Sequence, residues 1–258
     1  MNILMVGDVY GESGRAAVAK LLPKLRREHA IDFCVVNVEN AAGGFGVTAP
    51  IARQILESGA DVMTSGNHIW DKKEIVAYIV KENLLLRPAN FPAGTPGAGH
   101  VTVKCGPHKI AVVNLMGRVF MLPIDCPFRK ADELVPELRK DTPIVLVDMH
   151  CEATSEPLAM GWYLAGRVSA VVGTHRHVQT ADERILPGGT AYITDLGLTG
   201  PTDGVIGVDR DQIIQRFLQQ MPIRFETAKG PAALQGVVIV VDPDTGRSSS
   251  IRRLSVPA

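Results

Sequence analysis

Five short apolar runs along the chain each end in polar side chains. The runs are rich in valine, isoleucine and leucine and are bounded by turn signals. Together with their polar ends they occupy residues 3–8, 33–40, 61–68, 144–150 and 171–177. Uninterrupted apolar runs of this length predict buried strands rather than helices. Because sites in open α/β sheets form at the carboxyl ends of strands, the polar ends are candidates for one shared site.

The stretches between these runs predict helices and hairpins. After a loop at 9–15, an apolar stripe predicts a helix through about Glu28, with a kink or break at Pro23. Thr48 is expected to cap a helix that reaches Ser58, and residues 84–100 are interpreted as irregular. Further predicted elements are helices near 73–81, 131–140 and 157–164, strands near 184–186 and 191–194, and hairpins that pair 101–105 with 110–115 and 237–241 with 250–254.

The order of these elements predicts an α/β fold. Strands alternate with helices in the first half, which is typical of a parallel, doubly wound sheet. No internal repeat or linker interrupts the 258 residues. We therefore interpret residues 1–258 as a single domain, in which two similar halves form a β-sandwich with helices outside and the site lies at the carboxyl ends of the strands.

The charge balance limits the partners of this chain. It contains 27 basic and 27 acidic residues, so its formal net charge is zero. Duplex DNA and anionic membranes both attract a basic excess, whereas a small phosphate ligand needs only local charge. No apolar run approaches the roughly 18 residues of a membrane span, and the chain enters a strand without a charged leader. The four cysteines include no Cys-x-x-Cys pair, and a cytoplasmic protein without a membrane partner is expected.

The polar residues that follow the runs are of the kinds that bind metals or carry protons. They are Asp8, Glu39, Asn40, Asn67, His68, His150, His175 and His177. A lone histidine is more often a surface or core residue, but four of the seven histidines directly follow strand runs. Oxygen and imidazole donors without a thiolate suit manganese, iron or zinc better than copper(I). Eight candidates exceed one ion and suit two, and paired metals about 3.5–4 Å apart suit displacement at phosphorus.

Local spacing gives expectations for four of these residues. His175 and His177 are two positions apart, so their side chains are expected to point the same way in extended chain. Glu39 and Asn40 are neighbours, and both reach one site only if the chain turns there. The Ala-Ala-Gly-Gly segment that follows them permits such a turn.

Three nearby charged residues receive weaker interpretations. Glu152 and Glu156 are interpreted as solvated carboxylates, or as hydrogen-bond partners of a histidine ligand. Arg176 is interpreted either as a phosphate contact or as a solvent-facing side chain.

The blocks around the candidate residues resemble those of the calcineurin-like metallophosphoesterases. These blocks are Gly7-Asp8, Glu39-Asn40, Gly66-Asn67-His68, the strand end at His150, and Gly173-Thr174-His175-Arg176-His177. Tyr10 stands where the general pattern has histidine, and Glu39 stands where it has aspartate. Both departures match the YmdB-like branch, whose members hydrolyse 2′,3′-cyclic nucleotides and related phosphodiesters.

The resemblance implies a metallophosphoesterase-like four-layer αββα sandwich with two transition metals. Iron or manganese is expected, with zinc as an alternative. The implied ligands are Asp8, Glu39, Asn40 and His177 for one metal, and Glu39, Asn67, His150 and His175 for the other. A hydroxide that bridges the metals is implied as the nucleophile. His68 is implied as the unligated proton donor, so that a 2′,3′-cyclic nucleotide yields a 3′-nucleotide.

Other functions remain open at this stage. A phosphomonoesterase or an RNA nuclease would use the same site, and a metal-binding regulatory protein would act through partners instead. The neutral charge opposes a long nucleic-acid track but is compatible with a short basic groove for short RNA. The expected partner is a small phosphodiester or cyclic nucleotide, and assembly of several copies of the chain stays open.

Overall fold

The structure is a computed structural model that describes residues 1–258 as thirteen strands and six helices. The strands are β1 Asn2–Val6, β2 Asp8–Val9, β3 Phe33–Asn37, β4 Val62–Thr64, β5 His100–Cys105, β6 His108–Met116, β7 Val145–His150, β8 Ala170–Thr174, β9 Arg184–Leu186, β10 Thr190–Ile193, β11 Leu198–Pro201, β12 Ala232–Val241 and β13 Ser248–Pro257. The helices are α1 Gly11–Glu28, α2 Ala49–Glu57, α3 Ile75–Ile79, α4 Pro127–Leu138, α5 Ser155–Leu164 and α6 Arg210–Gln219. None of the helices is long and apolar enough to cross a membrane.

The strands form two mixed sheets. The first has the order β2-β11-β12-β1-β3-β4, with β13 beside β12, and its β1, β3 and β4 are parallel. The second has the order β5-β6-β7-β8-β10-β9, in which β6, β7, β8 and β10 are parallel. The predicted parallel arrangement therefore holds at one end of the first sheet, from β1 to β4, and in the centre of the second sheet. Antiparallel strands flank the centre of the second sheet, and in the first sheet β12 pairs antiparallel with β1 and β11.

Alternate residues of the central strands belong to different hydrophobic cores. In β1, Leu4 packs in the core below α1 and α2, whereas Ile3 packs in the core between the two sheets. In β6, Val112 lies in the core between the sheets and Val113 lies in the core below α4 and α5. This alternation follows from the two-residue period of strands. It produces the layers helix, sheet, sheet, helix, which confirms the predicted αββα sandwich.

The first helix corrects two predictions. It begins at Gly11, so most of the predicted loop at 9–15 is helical. Pro23 lies inside the helix without ending it. Leu22 and Leu25 on either side of Pro23 are buried against the first sheet, and this packing outweighs the hydrogen bond that proline removes.

Other element boundaries differ because local signals were weak. Thr48 does precede α2, but its side chain makes no capping hydrogen bond. Helix α3 is shorter than the predicted 73–81, α4 and α5 begin earlier than predicted, and β12 and β13 are longer. Strand β11 and helix α6 were not predicted. The sequence of α6 does carry an apolar stripe, Ile213, Ile214, Phe217 and Leu218, although only Ile213 is buried. Strand β11 contains glycine and proline, which disfavour strands.

The core between the sheets predicts a large cost for cavity formation. Leu146 is fully buried in that core, whereas Leu218 on α6 is 80% exposed. We expect Leu146→Ala to lower the free energy of unfolding by about 2–5 kcal/mol, because it removes buried apolar area and leaves a cavity. The matched Leu218→Ala should change it by no more than about 0.5 kcal/mol. Urea titration measures both, and equal effects would contradict the layered arrangement.

Candidate metal centre

The candidate residues come from strand ends that meet at one edge of the sandwich. Asp8 follows β1, and Glu39 follows β3. His150 is the last residue of β7, and His175 follows β8. Gly66, after β4, passes so close to these groups that a Cβ there would lie 2.1 Å from His150 Cδ2 and 2.4 Å from Glu39 Oε2. The two sheets therefore bring distant parts of the chain together, and glycine at this point leaves room for the side chains.

One group of donor atoms converges around His150 Nε2. Glu39 Oε1, Asn67 Oδ1 and His175 Nδ1 each lie 3.0 Å from this nitrogen. His175 Nδ1 also lies 3.8 Å from Glu39 Oε1. Glu39, His150 and His175 place their donor atoms within 4.8 Å of one another, close enough to share one ion.

A second group of donor atoms lies around His177 Nε2. Asn40 Oδ1 is 3.1 Å and Asp8 Oδ1 is 4.0 Å from this nitrogen. Asn40 Nδ2 donates to the Gly44 carbonyl at 2.8 Å, which orients the amide oxygen towards His177. Asp8 Oδ2 accepts from the backbone amide of His175 at 3.1 Å and thereby connects the two groups.

The hydrogen bond of His150 Nδ1, which points away from the donor group, determines which ring nitrogen of His150 carries the proton. Its Nδ1 lies 2.9 Å from the hydroxyl of Thr174, which donates its own proton to Asp148 Oδ1 at 2.7 Å. The hydroxyl must therefore accept from His150 Nδ1. In a neutral imidazole this leaves a lone pair on Nε2, facing the oxygens of Glu39 and Asn67.

The other two histidines are held in the same way. His177 Nδ1 donates to the carbonyl of Ile206 at 2.8 Å, and His175 Nε2 donates to Glu152 Oε2 at 2.9 Å. Each histidine therefore turns an unprotonated nitrogen towards the cluster. Such outer hydrogen bonds are typical of metal-binding histidines, because they fix the tautomer that exposes a lone pair.

Two buried carboxylate oxygens lack hydrogen bonds, which indicates that the candidate metal ligands around them carry no proton at the facing atoms. Asp8 Oδ1 and Glu39 Oε1 are buried and accept no hydrogen bond. Glu39 Oε1 stays without one although His150 Nε2 is only 3.0 Å away. Lone pairs that face one another in a buried site repel unless a cation lies between them. The residues present therefore fit metal ions.

Burial controls the charges of the centre. Burial and the nearby Asp195 and Glu39 raise the pKa of Asp8, and burial raises the pKa of Asp195 to about 6. Burial would also raise the pKa of Glu39, but positive charge beside its carboxylate, such as that of a protonated His150, holds it well below its usual value. Burial lowers the pKa of His177 to about 4, which keeps this imidazole neutral near pH 7. Bound cations would compensate the crowded carboxylates.

His175 differs from the other two histidines of the centre. Burial lowers its pKa, but the carboxylates of Glu39 and Glu152 outweigh burial and raise it above the usual value. A proton on His175 Nδ1 and a metal ion compete for the same position. Metal affinity at this position should therefore fall as the pH falls.

The expectation that His175 and His177 point the same way is wrong. The chain after β8 is not extended, because φ is 106° at His175 and 59° at His177. His175 joins the group around His150, and His177 joins the group with Asn40. The expected turn at Glu39 is confirmed. Strand β3 ends at Asn37, and the side-chain Oδ1 of Asn37 accepts from the backbone amide of Glu39 at 3.1 Å.

The structure separates the interpretations of three charged residues. The guanidinium of Arg176 donates to the carbonyl of Cys151 at 2.6 Å and lies 3.3 Å from Asp195 Oδ2, so this side chain does not simply face solvent. Arg176 also lines a cavity with His175 and His177, and its contact with a phosphate stays a prediction. Glu156 is buried and accepts from the backbone amides of residues 118 and 119. Glu152 makes the histidine hydrogen bond that was one of its two interpretations.

Sequence reasoning missed the residues that support the donors. Asp148 is buried within β7 and accepts from Thr174 and Asn37. A carboxylate inside an apolar strand signals a buried polar network, because it needs partners there. Asp195 shortly follows β10, and the same strand-end signal that identified Asp8 would have found it.

His68 lies beside the donor groups rather than among them. Its ring, together with Glu39, His175 and His177, lines a cavity of about 330 Å³. His68 Nδ1 lies 2.8 Å from Asp71 Oδ2, which leaves Nε2 available to the cavity. Its backbone amide donates to Glu39 Oε2 at 3.2 Å, which ties the position of His68 to the centre.

Comparisons with known proteins give one consistent result. A family model described as "YmdB-like protein" matches residues 4–254. The chain is 54% identical over 256 residues to a Bacillus subtilis (strain 168) protein named 2′,3′-cyclic-nucleotide 2′-phosphodiesterase, covering 99% of this chain and 97% of the relative.

Two solved structures are similar over the whole chain. A hypothetical protein from Thermus thermophilus has a TM-score of 0.93 and 40% identity, with 100% of this chain and 99% of that chain covered. A phosphatase from Mycoplasma pneumoniae has a TM-score of 0.94 and 34% identity, with 100% and 93% covered. From the matched residues and these identities it follows that the chain belongs to the YmdB-like protein family.

Proposed function

We propose that this protein is a metal-dependent phosphodiesterase that hydrolyses 2′,3′-cyclic nucleotides to 3′-nucleotides. The observation that carries the proposal is the pair of neighbouring donor groups, one around His150 with the buried Glu39 and one around His177. The name of the Bacillus subtilis relative supports the substrate class. Family membership supports the same reaction type.

The two donor groups would hold two metal ions. Asp8, Glu39, Asn40 and His177 would hold one, and Glu39, Asn67, His150 and His175 would hold the other. Iron or manganese fits these oxygen and nitrogen donors, with zinc as an alternative. When bound, such ions lower the pKa of water and neutralise phosphate charge, which is the chemistry that diester hydrolysis needs.

His68 would supply the proton for the leaving oxygen. Asp71 accepts from Nδ1 of His68 and so presents the ring with its Nε2 towards the cavity. The ring of Phe45 packs edge-to-face on His68, with centroids 5.0 Å apart, and restricts its rotation. As the oxygen of a water molecule bonds to phosphorus and the bond to the 2′-oxygen breaks, the imidazolium form of His68 donates its Nε2 proton to the 2′-oxygen. The phosphate then remains on the 3′-oxygen.

The apolar part of the cavity lining suits the nucleoside. It includes Phe45, Ile206, Val208 and Phe225. Phosphate binding does not require an apolar wall, whereas a nucleobase stacks on aromatic rings. The cavity of about 330 Å³ falls within the usual size range of small-molecule sites. This combination favours a nucleotide over a simple phosphate ester.

A substrate panel tests the proposed reaction. Phosphomonoesters, linear diesters and 2′,3′-cyclic nucleotides should be assayed with Mn²⁺, Fe²⁺ and Zn²⁺ separately. We expect 2′,3′-cyclic nucleotides to have the highest kcat/KM and 3′-phosphates to be the products identified by chromatography. Faster hydrolysis of monoesters, or 2′-phosphate products, would contradict the assignment. No turnover with any metal would favour a binding protein instead.

The shared position of Glu39 predicts how metals are lost. Because Glu39 is the proposed shared ligand of both ions, Glu39→Ala should abolish binding of both, whereas His177→Ala should weaken mainly one. Elemental analysis after reconstitution should give about two metals per chain in the unmodified protein. Glu137→Ala, which changes an exposed glutamate on α4, is the matched control and should keep full metal content. Retention of two metals by Glu39→Ala would rule out the shared ligand.

The role of His68 predicts a loss that depends on the leaving group. His68→Ala should lower kcat for a 2′,3′-cyclic nucleotide by about 10²–10⁴-fold, with metal content unchanged. The loss should shrink for a nitrophenyl ester, whose leaving oxygen needs little protonation. Asp71→Asn should give a smaller loss, and His108→Ala, a histidine on β6, should give none. Equal losses on both substrates, or loss of metal, would identify His68 as a ligand or a purely structural residue.

A further inference from the structure

A second and larger cavity lies beside the one that holds the metal donors. Its volume is about 970 Å³, and three cations line it: Arg15, Lys72 and Lys229. Glu12 is the one carboxylate among its lining residues. In a chain whose formal net charge is zero, this cavity is a local concentration of positive charge.

Its cations have no carboxylate partners. Lys24, Lys109, Lys130 and Lys140 each form a salt bridge with an acidic residue, but Lys72 and Lys229 form none. Arg15 donates only to the carbonyl of Ala41, at 2.6 Å. Arg15 and Lys72 are half-buried. Cations that are partly desolvated and unpaired in a cavity are available for an anionic ligand.

Only a short loop separates this cavity from the metal centre. Ala42 and Gly43 line the larger cavity, and the next two residues, Gly44 and Phe45, line the smaller one. Since one residue of extended chain spans at most about 3.6 Å, the two cavities are close neighbours. A Cβ at Gly43 would meet no atom within 4 Å, so no side chain covers the loop surface at this exposed residue.

The lining also offers hydrogen-bond donors. The hydroxyl-bearing residues Ser13, Thr48 and Thr227 are among the lining residues. Hydroxyls and cations together are the usual contacts of nucleic-acid phosphates. None of these residues belongs to the candidate metal ligands. If the larger cavity binds part of the same substrate, it therefore binds a part other than the reacting phosphate.

We propose that this cavity binds an upstream phosphate of a short RNA whose 3′ end carries the 2′,3′-cyclic phosphate. This inference rests on the proposed function, because the cyclic end occupies the metal centre. The next phosphates of the strand then cross the open loop at Gly43 and reach Lys72 and Lys229. The physiological substrate class is accordingly oligoribonucleotide ends rather than mononucleotides alone.

The kinetic test compares two substrates with the same reactive end. One is a nucleoside 2′,3′-cyclic phosphate, and the other is a trinucleotide ending in that same cyclic nucleotide. The trinucleotide should have the lower KM for the unmodified holoenzyme. Lys72→Ala and Lys229→Ala should each raise KM for the trinucleotide by about two- to fivefold and leave the mononucleotide unchanged. Each variant should also reduce the slope of log KM against log salt by about 0.7.

A matched control removes the same charge outside the cavity. Lys73 and Lys81 are exposed and do not line it. The double variant Lys73→Ala/Lys81→Ala should therefore behave as the unmodified protein, in contrast to Lys72→Ala/Lys229→Ala. Equal effects of the two double variants would show a general charge effect and overturn the proposal. An unchanged trinucleotide KM in Lys72→Ala/Lys229→Ala would overturn it as well.

A binding measurement separates this inference from the proposed function. Calorimetric titration with a trinucleotide 3′-phosphate needs no turnover, so it decides the point even if cyclic nucleotides are not hydrolysed. Affinity should fall in Lys72→Ala/Lys229→Ala and persist in the control. Inorganic phosphate is the second probe and should bind much more weakly than the trinucleotide. Equal affinity for both would identify a site for free phosphate and contradict an RNA subsite.

Discussion

The burial of carboxylates at the strand ends is the constraint on which the rest of the centre depends. Asp8 and Glu39 are fully buried, and each keeps one oxygen without a hydrogen bond. Removing a charge from water costs several kcal/mol unless other charges compensate it. Two buried carboxylates that both lack full compensation therefore indicate that the strand ends are arranged to bind cations. Metal binding should consequently contribute to folding stability as well as to chemistry.

The residues behind the donors are as important as the donors. Thr174, Glu152 and Ile206 each accept from the outer nitrogen of one histidine, and this fixes which nitrogen faces the cluster. Asp148 in turn accepts from Thr174, so a chain of hydrogen bonds runs from the core of β7 to the site. Loss of such a partner changes a tautomer without removing a ligand.

The donor residues could be predicted from sequence because strand ends of a parallel sheet converge by geometry alone. In the sequence, a short apolar run marks the strand, and the polar residue after the run marks the candidate donor at its end. The separation of His175 from His177 could not be predicted in this way. It depends on left-handed backbone angles, which the amide of His175 maintains by donating to Asp8, 167 positions away. The contact of Arg176 with Asp195 could not be predicted for a similar reason, because it forms only when the two strand ends meet in the fold.

Ile206 connects the metal centre to the substrate cavity. Its carbonyl accepts from His177, and the same residue lines the apolar wall. His177 also packs edge-to-face on Tyr10, with ring centroids 5.6 Å apart, and Tyr10 lines that cavity too. A ligand that displaces Ile206 therefore changes the hydrogen bond that orients a metal donor. Because Ile206 has φ of 49°, unusual for a β-branched residue, its conformation depends on these contacts rather than on local preference. If the proposed function holds, substrate shape and the orientation of a metal donor would be coupled through one backbone carbonyl.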